Sequence, residues 1–262
     1  MTSRARIAFS RAAGRTRVVT AFAQAPQRWT VGAAADGWLT VYHQFVGDGY
    51  FPGERSITRC EVGPGACARI EGPGATPLRP GTASLAATKL RVAAGGALVY
   101  RPGPLLPHAG SSHAALLDAT VAAGGCLAVL QLWTPGRTAH EPGRFDRLVL
   151  RTRLAVEDAV ILEEQLDIRP PDWPAGEAVV VMAVALGPWP PAETAWWDDI
   201  LGLADGAASP LSGCGAIVRA LFPSLGAAAR CVDVAVGRIA AAPQMKICSS
   251  PRKALETESK AH

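Results

Sequence analysis

Leu148, Leu150, Thr152, Leu154 and Val156 fall on one parity of the chain, and Arg147, Val149, Arg151 and Arg153 on the other. A period of two is that of a half-buried β-strand. Trp38–Phe45, Leu85–Val92 and Cys126–Trp133 are similar in length and apolar content. The pattern predicts short strands from the N-terminus as far as Gln165.

One unit recurs. Cys60-Glu61-Val62-Gly63-Pro64-Gly65-Ala66-Cys67 is echoed by Arg91-Val92-Ala93-Ala94-Gly95-Gly96-Ala97-Leu98 and by Thr120-Val121-Ala122-Ala123-Gly124-Gly125-Cys126-Leu127. Ala155-Val156-Glu157-Asp158-Ala159-Val160 is a looser copy. Gly65, Gly96 and Gly125 read as its tight-turn positions. A strand, a glycine turn and a returning strand repeated at about 30 residues predict stacked β layers, because periods of roughly 20–50 residues mark solenoids or arrays. An antiparallel sandwich with similar hairpins fits the same pattern.

After Ile168 the texture changes. Pro170-Pro171-Asp172-Trp173-Pro174 and Pro188-Trp189-Pro190-Pro191 break the chain on either side of the apolar run Val179–Leu186. Leu225, Ala228, Val232, Ala235 and Ile239 then adopt helical spacing, with Ser224 as N-cap after Pro223. The fold class expected is mainly β: stacked β-hairpin layers, β-helix-like or a two-layer sandwich, with one or two C-terminal helices. Residues 1–245 read as one domain and 246–262 as a polar tail that frays.

Composition narrows the function classes. In 262 residues the chain has 27 Gly and 21 Pro, too many breakers for a mostly helical protein. Cations exceed carboxylates by only 26 − 22 = 4, which argues against nucleic acid as a partner. Charges at Arg4 and Arg6 interrupt the place of a secretory apolar run, and the stretch 178–187 is half of the ~20 residues a bilayer needs. A soluble, cytoplasmic protein with no membrane partner is expected. The six cysteines include no C-x-x-C pair and read as small core residues in a reducing compartment.

Catalytic signatures are sparse. No P-loop, H-E-x-x-H or EF-hand sequence occurs, and Gly95-Gly96 and Gly124-Gly125 lack the G-x-G-x-x-G spacing. Ser212-Gly213-Cys214-Gly215 puts Ser212 where a nucleophile elbow needs glycine. His108 and His113, five apart, do not complete a zinc site, although imidazole suits nickel and copper in transient contact. Trp196 and Trp197 fit an exposed anchor for a partner or burial under the preceding Pro-rich loop. A non-enzyme is the favoured reading. The alternatives are a hydrolase or transferase using Cys214 or a His108/His113 centre, and a generic binding module.

The segments 60–75 (CEVGPGACARIEGPGA), 90–107 (LRVAAGGALVYRPGPLLP) and 133–165 (WTPGRTAHEPGRFDRLVLRTRLAVEDAVILEEQ) resemble, in this order, the UreD (UreH) family of urease accessory proteins. Gly213–Ala220 (GCGAIVRA) and Pro251-Arg252 resemble its closing segments. The resemblance implies a β-rich stack with two helices and a scaffold role in urease maturation. It implies binding to a UreF-like protein, which recruits a UreG-like GTPase, and docking on apo-urease. It further implies no tightly bound cofactor, with nickel carried in transit through an internal water-filled tunnel.

The chain departs from the family pattern at several motifs. Asp48-Gly49-Tyr50-Phe51-Pro52-Gly53-Glu54 carries Glu54 in place of the family's aspartate, and Pro73-Gly74-Ala75-Thr76-Pro77 lacks its lysine. The motif at 136–145, containing Glu141, is one residue longer, while the E-R-L pattern survives as Glu164-Gln165-Leu166. Glu54, Thr76, Glu141 and Glu164 are therefore the candidate polar interior groups. Isolated carboxylates and hydroxyls pass a divalent ion better than a Cys/His cage, which would trap it. Glu164 is the leading candidate, because Ile161, Leu162 and Leu166 mark its strand as buried.

Overall fold

The computed structural model of the chain describes residues 1–136, 144–173, 179–201, 205–212 and 215–241. Glu141, Cys214 and the 246–262 tail lie outside the described residues. In chain order the first strands are β1 (Thr2–Ala12), β2 (Arg15–Ala23), β3 (Gln27–Ala35), β4 (Trp38–Phe45), β5 (Arg55–Val62), β6 (Cys67–Glu71), β7 (Thr76–Leu78), β8 (Ser84–Val92) and β9 (Ala97–Arg101). They continue as β10 (Leu105–Pro107), β11 (Ser112–Val121), β12 (Cys126–Trp133), β13 (Arg147–Val156), β14 (Ala159–Ile168) and β15 (Val179–Leu186). Helix α1 (Thr194–Leu201), β16 (Asp205–Leu211), β17 (Gly215–Phe222) and helix α2 (Leu225–Ala241) follow.

Among the described residues the strands form two sheets. The first has seven strands in the order β14-β13-β11-β8-β5-β1-β2. The second has ten, in the order β16-β17-β15-β12-β9-β6-β4-β3, with β7 and β10 joined at its side. The middle of each sheet is a parallel stack that follows the repeat. Arg55 pairs with Leu85 and Leu85 with Ala114 in the first sheet, while Cys67 pairs with Ala97 and Ala97 with Cys126 in the second. Each coil thus lays one strand in each sheet.

This arrangement revises the expected hairpins. The turns at Gly65, Gly95 and Gly124 carry β5 to β6, β8 to β9 and β11 to β12, so each crosses from one sheet to the other. These three residues, one to each coil, hold φ of +67°, +69° and +75°. The left-handed positions are therefore Gly95 and Gly124, not Gly96 and Gly125. The second glycine of each pair has a different task. A Cβ on Gly96 would lie 2.9 Å from the Gly63 carbonyl oxygen, and one on Gly125 would lie 2.9 Å from that of Ala93. Only a residue without a side chain lets successive coils approach this closely. The looser copy at Glu157 is a true hairpin, joining β13 to its antiparallel neighbour β14.

Two apolar layers result. Between the sheets, Ile7, Ile70, Leu90, Leu98, Leu127, Leu148 and Leu154 are buried on inward parities. Outside the second sheet, Val99, Leu130, Leu132, Val181 and Val218 are covered by Trp197 and Leu201 of α1 and by Ala228, Val232, Ala235 and Ile239 of α2. The helical stripe legible in the sequence is the face that packs. The Ser224 hydroxyl caps α2 by accepting from the Ala227 N–H at 3.2 Å. The outer face of the first sheet is left in water, with Arg4, Arg6, Arg55, Arg59, Lys89 and Arg91 exposed on it. No helix among the described residues is long and apolar enough to cross a membrane.

Candidate functional site

Polar residues interrupt the inward faces at one level of the stack. Thr58 of β5 pairs in register with Thr88 of β8, one coil further on, and Ser56 stands one inward position before Thr58. Across the gap, Tyr100 of β9 and Gln131 of β12 face them from the second sheet, and His43 of β4 closes the side. A cavity of about 250 Å³ opens here between the sheets. The crossing segments around Gly49, Gly72–Pro77 and Gly103 form its rim. Their glycines let them pack this closely: a Cβ on Gly103 would sit 1.9 Å from the Gly74 carbonyl oxygen, and one on Gly49 would sit 2.0 Å from that of Pro77.

Hydrogen bonds hold several of the lining side chains. Gln27 Nε2 donates to Ser3 Oγ at 2.9 Å, while its Oε1 accepts from Thr58 Oγ1 at 2.9 Å and lies 3.1 Å from His43 Nε2. Tyr50 and Ser56 share a bond of 2.7 Å, and Ser84 lies 2.8 Å from His113 Nδ1. A row of rings supports them: Trp29 on His43 at 4.3 Å, His43 on Phe45 at 5.6 Å, Phe45 on Tyr50 at 4.5 Å and Tyr50 on His113 at 4.8 Å. His113 Nε2 and Gln131 Oε1 are buried without a protein partner.

The wall carries no charge at neutral pH. Burial lowers both His43 and His113 to about 4, since an imidazolium there would lose its hydration. Burial raises Tyr100 to about 12 and pushes Tyr50 up as well. The Cys60 thiol is driven up for the same reason and is not a nucleophile. No group of three or more His, Cys, Asp or Glu among the described residues could hold a metal. The arrangement offers weak, neutral oxygen and nitrogen ligands.

The structure separates the residues singled out from sequence. Thr76 and His113 line the cavity. Glu54 is half-buried outside the wall, where its carboxylate accepts from the Phe51 N–H at 3.0 Å and closes a turn. Glu164 also stands off the wall, in an ion pair that ties β14 of one sheet to Arg219 of β17 in the other. His108 and His113 do not share a site: His108 Nδ1 lies 3.5 Å from Arg79, while His113 bonds Ser84. Trp197 is not an exposed anchor. It is 2% exposed, its indole N–H donates to the Pro191 carbonyl at 2.8 Å, and the half-buried Trp196 packs edge-on against it.

His43, Tyr50, Thr58, Thr88, Tyr100 and Gln131 escaped the sequence reading. One signal was available. Thr58 and Thr88 occupy equal places in the repeat on the buried parity, where an apolar residue is the norm.

The architecture and this interior can be set beside known proteins. The family model described as UreD urease accessory protein matches residues 1–251. The chain belongs to the UreD family. Curated relatives include "Urease accessory protein UreD" of Sorangium cellulosum, 28% identical over 233 residues, covering 81% of this chain and 72% of the relative. "Urease accessory protein UreD 1" of Saccharopolyspora erythraea is 29% identical over 214 residues, covering 78% and 81%. The namesake in Haloarcula marismortui is 32% identical over 136 residues, covering 51% of this chain and 46% of the relative. UreD-family relatives are accessory proteins rather than enzymes.

Proposed function

We propose that this chain is a scaffold for urease maturation that bridges apo-urease to a UreF-like protein and, through it, to a UreG-like GTPase. Nickel is its cargo and crosses between the two sheets. The observation that carries this reading is the neutral, polar cavity wall. A divalent ion leaving water needs oxygen or nitrogen groups to replace part of its shell, yet a Cys/His cage would hold it. Hydroxyls of Thr58, Thr76, Thr88 and Tyr100 meet the first condition without violating the second. The setting proposed is the cytoplasm, where the free thiols at Cys60, Cys67, Cys126 and Cys231 stay reduced. For the UreF-like partner we propose the region of α1, where Trp196 keeps part of its ring in water.

The test fills the route without touching the surface. Thr58→Leu with Thr88→Leu, co-expressed with urease and the UreF-like and UreG-like proteins, is expected to leave the complex intact on affinity purification. Urease activation should fall at least about tenfold. Full activation by a folded double variant would exclude the interior route, and failure of the wild-type chain to capture either partner would exclude the scaffold. Glu164→Leu is the companion measurement. Off the wall and paired with Arg219, it is expected to activate normally.

A further inference from the structure

The outer face of the first sheet divides into two halves of different electrostatic character. On β13, β14 and the adjacent side of β11 the charges neutralise one another. Arg147 meets Asp167 at 2.6 Å, Arg151 meets Glu163 at 2.7 Å, and Arg153 meets Asp118 at 3.3 Å. On β1, β5 and β8 the cations outnumber the carboxylates that meet them. Arg6 pairs in register with Arg59, and Arg59 with Lys89, so three cations stand side by side on successive parallel strands. Neighbouring strands are about 4.8 Å apart, and like charges directly opposite one another destabilise a sheet.

Arg4 and Arg55 extend the same exposed face along β1 and β5, and Arg91 extends it along β8. Glu61 lies 3.2 Å from Arg6, and Asp118 reaches Lys89 at 3.9 Å. Arg4, Arg55, Arg59 and Arg91 have no carboxylate within ion-pair distance among the described residues. The patch therefore holds six cations, with Glu61 beside Arg6 and Asp118 shared between Lys89 and Arg153.

We propose that this face docks the acidic surface of a protein partner. The inference rests on the scaffold reading and assigns it a surface. Nothing in the fold needs three in-register cations, and the neighbouring half shows that this sheet accommodates alternating charge. Guanidinium groups on rigid strands form forked pairs with carboxylates at small cost in side-chain freedom. Glu61 and Asp118, interspersed among the cations, would repel a continuous phosphate backbone but can meet basic side chains of a protein. Phe22 lies opposite Arg6 on the edge strand β2, half exposed, and adds an apolar contact at the border.

The experiment uses the full chain co-expressed with apo-urease and the UreF-like protein. Arg59→Glu together with Arg55→Glu is the test variant. The control swaps Arg151→Glu with Glu163→Arg, which preserves charge on the self-neutralised half. The test variant is expected to recover at least tenfold less of one of the two partners, and wild-type capture of that partner should weaken with added salt. Arg59→Glu alone should raise the melting temperature, because it relieves repulsion from Arg6 and Lys89. Loss of binding with gain of stability separates a docking role from a structural one. Equal capture by wild type and variant overturns the proposal and leaves the scaffold standing. Capture of neither partner by the wild-type chain removes the scaffold and this inference with it. Retention of duplex DNA at physiological salt that Arg59→Glu abolishes would make the occupant a nucleic acid and also overturn it.

Discussion

His43 and His113 are held uncharged inside the sandwich, which ties stability to pH. Their folded values are lowered to about 4 from 6.5, so below pH 6.5 the unfolded chain binds protons that the folded chain does not. Stability is therefore independent of these groups above that pH and falls as pH drops toward 4, by about 3 kcal/mol for each histidine. Urea unfolding followed between about pH 7.5 and pH 4.5 should show this decline, and His113→Gln should remove roughly half of it. Gly103 makes a second prediction at this scale. Gly103→Ala would drive a methyl group into the Gly74 carbonyl, and the crossing segments at the cavity rim would have to separate. A loss of at least about 2 kcal/mol in unfolding free energy is expected.

At the scale of elements, the arches between sheets and the cap of α2 are the points most easily perturbed. Gly124→Ala meets no neighbour, so its cost is the left-handed backbone alone, about 1 kcal/mol. Gly125→Ala, one residue on, presses on the Ala93 carbonyl and the Val121 side chain and should cost more than its neighbour. Chemical denaturation of the two variants side by side gives the order, and the reverse order would mean that the coils are not in close contact. Ser224→Ala removes the cap of α2 and should cost about 1 kcal/mol by the same measurement.

For the whole molecule, the C-terminal third is part of the sandwich and not an appendage. β15 and β17 extend the second sheet directly from β12, and α1 and α2 cover its outer face. A chain cut after Asp167 would leave the Leu130 and Leu132 face of β12 in water. Such a fragment is expected to aggregate, as light scattering would show. Loss of the UreF-like partner by that truncation would then report misfolding. Trp196→Ala leaves the sheet complete and is the informative probe of the α1 region, with complex recovery as its readout.

What the sequence determined by itself was periodicity. Alternation placed the strands, the recurring glycine turn placed the stack, and the stripe from Leu225 to Ile239 placed the packed face of α2, because each is a local consequence of how backbone geometry repeats. Tertiary structure decided which strands pair. The echo at Gly95-Gly96 is compatible with a hairpin or an arch, and only the approach of the next coil, with Gly96 against the Gly63 carbonyl, selects the arch. Burial of polar groups was decided there too. Glu164 sits in a run of apolar neighbours, yet its strand lies at the edge of its sheet and an arginine 55 residues away pairs with it. Thr58 shows in sequence only as a polar residue at a repeat position shared with Thr88, and it becomes part of a cavity wall because Thr88, Tyr100 and Gln131 arrive beside it from separate strands. Spacing along a chain carries what repeats locally; the neighbours that set a side chain's hydration and charge are assembled only when distant coils meet.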